Sequence, residues 1–360
     1  MKRFVLLSFL LILKTVAYTQ SYGNEWITFT QDYYKIKIGK EGIYRINYNT
    51  LQSIGFPVSS VNPQNIQLWV NGKEQPIIVS GESDFKFDNT DYIEFYGTYN
   101  DGKLDAPLYP NPSEQPHQYM SLYSDTSLYF LTFSSSATGK RVSVNNDKDF
   151  SSKTADPYFN YEQAIWYKKN GTFWDGLGFS AEGFKSEYTE GEGWSLTMYG
   201  GSSSATFLTP FLSSIGPKPY LEVLAHSRGN NMNNYDADGF NNGLQLSFQP
   251  SGTLINQKRL NGLGRYFFQD SIIDRSLIGN LSTSFSTFSY LLAKTAHTVS
   301  YFKLCYPRLF NLQDSSHLKF KYTSSNTFIK FSNYASGKSK PIVYDIANFT
   351  KSMGKTLTFA

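Results

Sequence analysis

Ile66-Gln67-Leu68-Trp69-Val70-Asn71-Gly72-Lys73-Glu74-Gln75-Pro76-Ile77-Ile78-Val79 is the stretch whose reading decides the fold class. Two apolar, β-prone runs flank Asn71-Gly72, a dipeptide that accepts positive φ at both central positions of a type I′ turn. The twist of that turn matches the twist of paired strands, so the spacing predicts a hairpin of Ile66–Val70 with Glu74–Val79. Working toward the N-terminus, Tyr33-Tyr34-Lys35-Ile36-Lys37-Ile38 alternates apolar and polar residues. Gly39-Lys40-Glu41-Gly42 reads as a turn, and Ile43-Tyr44-Arg45-Ile46-Asn47-Tyr48 resumes the alternation, which predicts a second hairpin. Asn49 then caps a short helical turn over Leu51 to Ile54, ended by Gly55 and Pro57. Toward the C-terminus, strands are predicted at Tyr92 to Tyr96 and Ser127 to Phe133, with Asn100-Asp101-Gly102 and four prolines between them.

Composition points the same way. The chain of 360 residues holds 29 Phe, 27 Tyr and 5 Trp beside 27 Gly. Aromatics favour pleated, half-buried surfaces and glycine favours turns, so a mostly β protein is expected. The polar stretch from Ser143 to Tyr161 has no apolar period and reads as a linker. Beyond it, Trp166 to Trp194 predicts irregular strands and wide loops. Strands are then expected at Ser195–Tyr199, Tyr220–Ala225, Leu244–Phe248, Arg265–Asp270, Phe285–Leu292, Thr298–Tyr306, Leu318–Tyr322 and Thr327–Phe331, with two further short patterns at Ile342–Tyr344 and Thr356–Phe359. That cadence is the one a β-sandwich or jelly roll shows. The expected fold is therefore all-β, with two β-rich domains and few short helices. Residues 20–142 form the first domain, 143–161 the linker, 162–335 a sandwich, and 336–360 the start of a truncated connection to a missing domain.

Residues 1–19 follow the secretory pattern. Lys2 and Arg3 make a positive start, Phe4 to Leu13 an apolar core, and Ala17 and Thr19 a small-residue exit. The apolar run falls short of the roughly 20 residues a bilayer-spanning helix needs, and Lys14 closes it. The expected product starts at Gln20 and is exported to the periplasm, the cell surface or the medium, with no transmembrane segment after cleavage. The 33 Lys and Arg against 29 Asp and Glu leave near neutrality once Lys2, Arg3 and Lys14 are removed. Nucleic acid and anionic lipid need clustered positive charge, so both are excluded as partners. One Cys cannot form an intrachain disulfide, and four His with one Cys give little material for a zinc site.

A set of short pieces in fixed order resembles a known family. These are Trp26, Tyr33-Tyr34-Lys35-Ile36, Gly42-Ile43-Tyr44-Arg45-Ile46, Leu51, Gly55, Asn71-Gly72-Lys73-Glu74, and Asp91-Tyr92-Ile93-Glu94-Phe95-Tyr96-Gly97. Asn100-Asp101-Gly102, Leu108-Tyr109, Leu122-Tyr123-Ser124-Asp125-Thr126, Tyr129-Phe130-Leu131-Thr132 and Tyr306-Pro307-Arg308 follow them. Together they resemble the non-catalytic N-terminal region of gingipain-type cysteine peptidases, including the cell-surface sortase of type IX secretion. The resemblance implies β-rich regions that precede a caspase-like α/β domain carrying a Cys nucleophile and a His. This sequence departs from the family at that point. Its one Cys, Cys305, lies in a strand pattern, and His117, His226, His297 and His317 lack the family's Gly-His-Gly setting. The implied role is to support or shield a following catalytic domain, with that domain or a cell-surface or secretion-system protein as partner, and this chain itself is expected not to be an enzyme. The alternative is a stand-alone surface module that binds glycan or protein.

Other signals carry two readings each. Cys305 fits a buried strand residue better than a nucleophile. In Asn234-Tyr235-Asp236-Ala237-Asp238-Gly239, oxygen-bearing side chains alternate before a glycine, so Asp236 and Asp238 are candidate calcium ligands. Gln245 stands where the bidentate Glu of a full calcium loop would be, and a polar turn fits the same residues. Trp69, Trp166, Trp174 and Trp194 suit either a sugar-stacking platform or core packing. Ser195 and Ser316-His317 lack a Gly-x-Ser-x-Gly elbow, and Glu190 and Glu192 sit among glycines too flexible to hold an acid and base.

Overall fold

Asn71 and Gly72 adopt φ of 50° and 72°, the left-handed pair that a type I′ turn demands. They join β3 (Ile66–Val70) to β4 (Lys73–Gln75) with Val70 opposite Lys73. The computed structural model describes residues 23–143, 151–168, 170–172, 187–190, 192–196, 201–227, 236–262, 264–290, 297–313, 318–322, 328–333 and 343–347. The expected signal segment, Trp174, Asn234, Tyr235, Ser316, His317 and the Thr356–Phe359 pattern lie outside the described residues.

The described chain is all-β in several antiparallel sheets, with one short α-helix, α1 (Tyr48–Ser53), and isolated 3-10 turns. It divides into two units. The first draws on Met1–Tyr99, Thr126–Val144 and Asp345–Met353, the second on Asn100–Asp125, Asn145–Tyr344 and Gly354–Ala360. The loop 100–125, expected inside the first domain, thus packs with the second unit.

In the first unit β1 (Tyr34–Ile38), β7 (Ser127–Phe133), β3 and β4 form one sheet in the order β1-β7-β3-β4. A second sheet runs β2-β6-β5, from β2 (Gly42–Asn47), β6 (Tyr92–Gly97) and β5 (Ile78–Val79). Three expectations are corrected by this unit. The Tyr33–Tyr48 stretch is not a hairpin, because β1 pairs with β7 and β2 with β6. The three-residue link Gly39-Lys40-Glu41 carries the chain from one sheet to the other, so that Ile36 of β1 and Ile46 of β2 pack on the same cluster from opposite sheets. The Glu74–Val79 strand is also broken. Pro76 has no N–H to give the ladder, and the chain leaves β3's sheet to pair Ile78 and Val79 with β6. The helix cap is Asn47 instead of Asn49. Asn47 Oδ1 accepts from Thr50 N at 2.9 Å, and Gly55 at φ 78° turns the chain out. Leu51, Ile66, Leu68, Ile93 and Leu131, each 0% exposed, fill the core. Full burial of such side chains contributes about 1.5–3 kcal/mol apiece.

The second unit is a sandwich. One sheet runs β15-β12-β17-β8, from β8 (Phe159–Trp166), β12 (Tyr220–Ser227), β15 (Arg265–Ile272) and β17 (His297–Arg308). The other runs β11-β16-β13-β14, from β11 (Ser202–Leu208), β13 (Asn242–Gln249), β14 (Leu254–Leu260) and β16 (Ser282–Ser289). Phe207 and Phe285 from the second sheet meet Val223, Phe268 and Phe302 from the first in one buried cluster. A short pair, β9 (Asn170–Thr172) and β10 (Glu192–Ser195), accompanies them. Strand β8 begins at Phe159, inside the expected linker. The Leu318–Tyr322 segment and the described part of Thr327–Phe331 are not strands. Phe320, Tyr322 and Phe331 instead gather around Phe310, with ring centroids 5.6–6.3 Å from it. Aromatic bulk there is satisfied by edge-to-face packing without a ladder.

Candidate functional site

Strand β17 is buried on both faces, an unusual state for a strand in a two-layer sandwich. Its even-numbered residues Phe302, Leu304 and Tyr306 face the sandwich core. Its odd-numbered residues Tyr301, Lys303 and Cys305 point the other way, where polar groups are concentrated. Lys303 pairs with Glu222 of β12 across the strands, and its Nζ reaches Glu222 Oε1 at 2.9 Å. The Tyr301 hydroxyl donates to the same Oε1 at 2.6 Å. Burial, first, and then this bond to Glu222 push the Tyr301 phenol well above its ordinary value.

The loop 100–125 covers this face. Tyr119 meets Tyr301 edge-on at 5.5 Å and lies parallel to Trp166 at 6.3 Å. His117 sits beside both Tyr119 and Trp166. The loop is held by directed bonds: Trp194 Nε1 donates to the Ser121 carbonyl at 3.0 Å, the Tyr109 hydroxyl to the Glu192 carbonyl at 2.9 Å, and Arg265 to the Ser113 carbonyl at 2.8 Å. Internally, buried Asp105 accepts from Ser121 Oγ and Leu122 N. Gly193 is required where it stands, because a Cβ there would lie 2.3 Å from the Pro116 ring. These bonds explain why the loop belongs to the second unit.

The sequence-derived candidates fall as follows. Cys305 is buried on β17 opposite Tyr220 and Glu162, and burial raises its thiol above the usual range. His297 stands on the same strand, eight positions away, roughly 26 Å at the rise of a strand. It bridges Thr287 Oγ1 at 2.9 Å and Ser289 Oγ at 2.8 Å, and burial lowers it to about 4. His226 pairs with Thr298, about 20 Å along the ladder from Tyr220 and therefore from Cys305. His117 is placed beside Trp166, whose partner Tyr301 is four positions from Cys305, roughly 13 Å. The structure thus brings none of these three imidazoles to the thiol.

Asp236 and Asp238 do converge, but on an internal cation. Arg259 Nη1 lies 3.0 Å from Asp236 Oδ2 and 2.7 Å from Asp238 Oδ2. Asp236 Oδ1 accepts the Phe240 and Asp238 backbone N–H groups, which, with Arg259, holds its carboxyl below the usual range. A calcium ion takes six to eight oxygen ligands, whereas both oxygens of Asp236 and Oδ2 of Asp238 are engaged by donors of the chain itself, the bonding of a polar turn. Gln245 sits in the middle of β13, paired with Gln257 and Phe288. Ser195 is fully buried in β10, and Glu190 faces Arg265 at 3.5 Å.

The tryptophans do not form one platform. Trp69 is stacked by Trp26 at 5.6 Å and 26° within the first unit, with Phe130 and Tyr33 completing the cluster around Trp26. Trp166 and Trp194 are engaged by the loop 100–125 as described. Sequence reasoning missed the Glu222–Tyr301–Lys303 cluster. The available signal was a charged residue in each of two otherwise apolar strand patterns, which in a sheet implies that they face one another.

The arrangement defines a class: an all-β chain of two sheet-rich units, with one polar cluster, Glu222–Tyr301–Lys303, under aromatic and loop cover in the second. Comparison with known proteins adds little beyond this. No family model matches the chain, and no curated protein matches it. Among solved structures, it is similar to dimeric latent PorU from Porphyromonas gingivalis, at 12% identity and TM-score 0.48 over 82% of this chain and 26% of that one. It is also similar to the insecticidal δ-endotoxin Cry8Ea1 from Bacillus thuringiensis, at 13% identity and TM-score 0.20 over 51% of this chain and 28% of that one. A third is the Bacteroides ovatus mixed-linkage glucan utilization locus protein SGBP-B in complex with a mixed-linkage heptasaccharide, at 10% identity and TM-score 0.15 over 74% of this chain and 70% of that one. The chain spans about a quarter of the length of the first two. Among the described residues, no helix is long and apolar enough to cross a membrane.

Proposed function

We propose that this chain is an exported, non-catalytic β-rich region of the gingipain type, which supports or shields a Cys/His peptidase domain by binding it. The observation that carries the reading is the position of Cys305, a buried strand thiol with a raised pKa and no described imidazole within hydrogen-bond reach. Thiol catalysis needs the opposite: an accessible sulfur with a depressed pKa next to a base.

The residues that carry the family resemblance support it as well, since they occupy scaffold positions. Tyr34 and Ile36 pack on the first core, and Ile93 and Phe95 are inside it. Tyr109 anchors the loop 100–125, Tyr123 bonds Tyr188, and Arg308 lies over the Tyr161 ring. Export rests on the pattern of residues 1–19, and material recovered outside the cytoplasm is expected to begin at Gln20.

The test is an assay of the purified chain against a fluorogenic peptide library and a thiol-directed peptidyl probe. No turnover and no labelling are expected, and Cys305→Ala should change neither. Turnover that disappears in Cys305→Ala would overturn the reading.

A further inference from the structure

The first unit carries a cleft of about 600 Å³ beside the start of α1. Its walls come from Tyr48, the segment Val58–Asn62 and the segment Phe85–Asn89. The volume is within the range of small-ligand sites, roughly 300–1,000 Å³. Val58, Val61 and Phe87 are buried and make an apolar floor, and Phe87 stacks on Tyr48 at 15°.

Phe85, which lines this cleft, stands at a backbone position better suited to glycine. Phe85 has φ 64° and ψ 17°, a left-handed conformation that a bulky side chain adopts only at a cost. A 3-10 turn, Glu82–Asp84, imposes it: Phe85 N donates to the Glu82 carbonyl, and Lys86 N donates to Asp84 Oδ1. Glycine would satisfy that geometry without strain. Phe85 as a whole is also 60% exposed, so burial offsets little of the cost. Strain and solvent-exposed apolar surface coincide on one side chain, at the edge of a concavity.

The chemistry around the ring selects a ligand class. Lys86 and Asp88 balance in charge, and the remaining polar groups are hydroxyls and amides: Ser59, Ser60, Asn62 and Asn89. The Asp88 carboxylate is fixed by Thr90, whose N and Oγ1 donate to Oδ1 at 3.0 and 2.8 Å, and the Asn62 amide is fixed by Gln64 N at 3.0 Å. A neutral cleft gives no advantage to an anion or a cation. None of the lining residues belongs to a strand, so an extended peptide has no ladder to join. Positioned amides, hydroxyls and a carboxylate beside an exposed aromatic face suit a sugar, whose hydroxyls need paired donors and acceptors and whose C–H face packs on a ring.

We propose that this cleft binds a short neutral glycan, with the Phe85 ring against a pyranose face and Asp88 and Asn62 on its hydroxyls. The inference does not rest on the non-catalytic reading above, and either can fail without the other. The test titrates the whole chain with cellohexaose, xylohexaose, mannohexaose and N-acetylchitohexaose by calorimetry, with a sulfated oligosaccharide and an unstructured peptide as further arms. Saturable binding of at least one neutral probe is expected, weakened tenfold or more in Phe85→Ala and in Asp88→Asn. Phe85→Gly separates ligand from scaffold, because it should raise the melting temperature by relieving the left-handed strain while abolishing binding. Failure of all four neutral probes, preference for the sulfated probe or the peptide, binding indifferent to Phe85→Ala, or a lower melting temperature in Phe85→Gly would each overturn it.

Discussion

Lys303 and Glu222 show how one pair of side chains can decide the fate of a sheet face. Each is largely out of water, with side-chain exposures of 18% and 12%, and each has the other as its charge partner, with Tyr301 as third member. Removing one partner leaves a desolvated charge, a situation that costs on the order of 3 kcal/mol. Lys303→Met is therefore expected to destabilise the second unit by about that amount in a denaturant titration. Adding Glu222→Gln should recover part of the loss, because the amide keeps an acceptor for Tyr301 without the unpaired charge. If the two single effects simply add, the pair is not coupled. In the first unit Arg141 has a similar role by different means. It binds Glu82 Oε2 at 2.7 Å and the carbonyls of Pro63, Gln64 and Ile66, and so ties the segment after β7 to the entry of β3.

Turns and breaks govern the element scale. Gly72 sits at φ 72°, and a Cβ placed there would come 3.2 Å from Trp26 Cδ1. Gly72→Ala is expected to cost about 1–2 kcal/mol, from the left-handed backbone and the pressure on the Trp26–Trp69 stack together. A chemical-denaturation midpoint that falls without a change in slope would record it. The same element shows what was legible in the sequence. Asn71-Gly72 carries its own geometry, so the hairpin could be read directly, and Ser127–Phe133 could be read from its apolar alternation. The β1/β2 pairing could not, because alternation says that a strand has an inner face and not which neighbour it takes. Strands β11 and β14 were missed for a related reason. Ser202-Ser203-Ser204-Ala205-Thr206-Phe207-Leu208 alternates by burial but hardly by polarity, and β14 is an edge strand whose residues are mostly polar. At the candidate sites, the ordinary fate of Cys305 followed from its strand pattern. The engagement of Asp236 and Asp238 by Arg259 could not be read, since that partner arrives from another strand through long-range pairing. Phe85 carried no signal at all, because nothing in a Phe codon forecasts positive φ.

At the scale of the whole molecule, histidine divides the two units. All four His lie in the segments of the second unit, and the three described ones are held neutral by burial: His117 and His297 at about 4, and His226 at about 3, the last also opposed by Arg265. A folded pKa below the unfolded value of about 6.5 means that the unfolded chain binds more protons in between. Their contribution is therefore fully present above pH 6.5 and is lost as pH falls from 6.5 toward 4, with a slope that approaches at most about 4 kcal/mol per pH unit for three groups. The first unit has no His, so between pH 7 and 5 its stability should hold while that of the second declines. Site-specific fluorescence can separate them, with Trp26 and Trp69 reporting on one unit and Trp166 and Trp194 on the other, through Trp→Phe variants that leave one pair at a time. His297→Gln, which can keep a hydrogen bond but takes up no proton, should reduce the second unit's acid sensitivity by about a third of that slope. Equal acid sensitivity in both units would mean that carboxylates, and not these imidazoles, set the response.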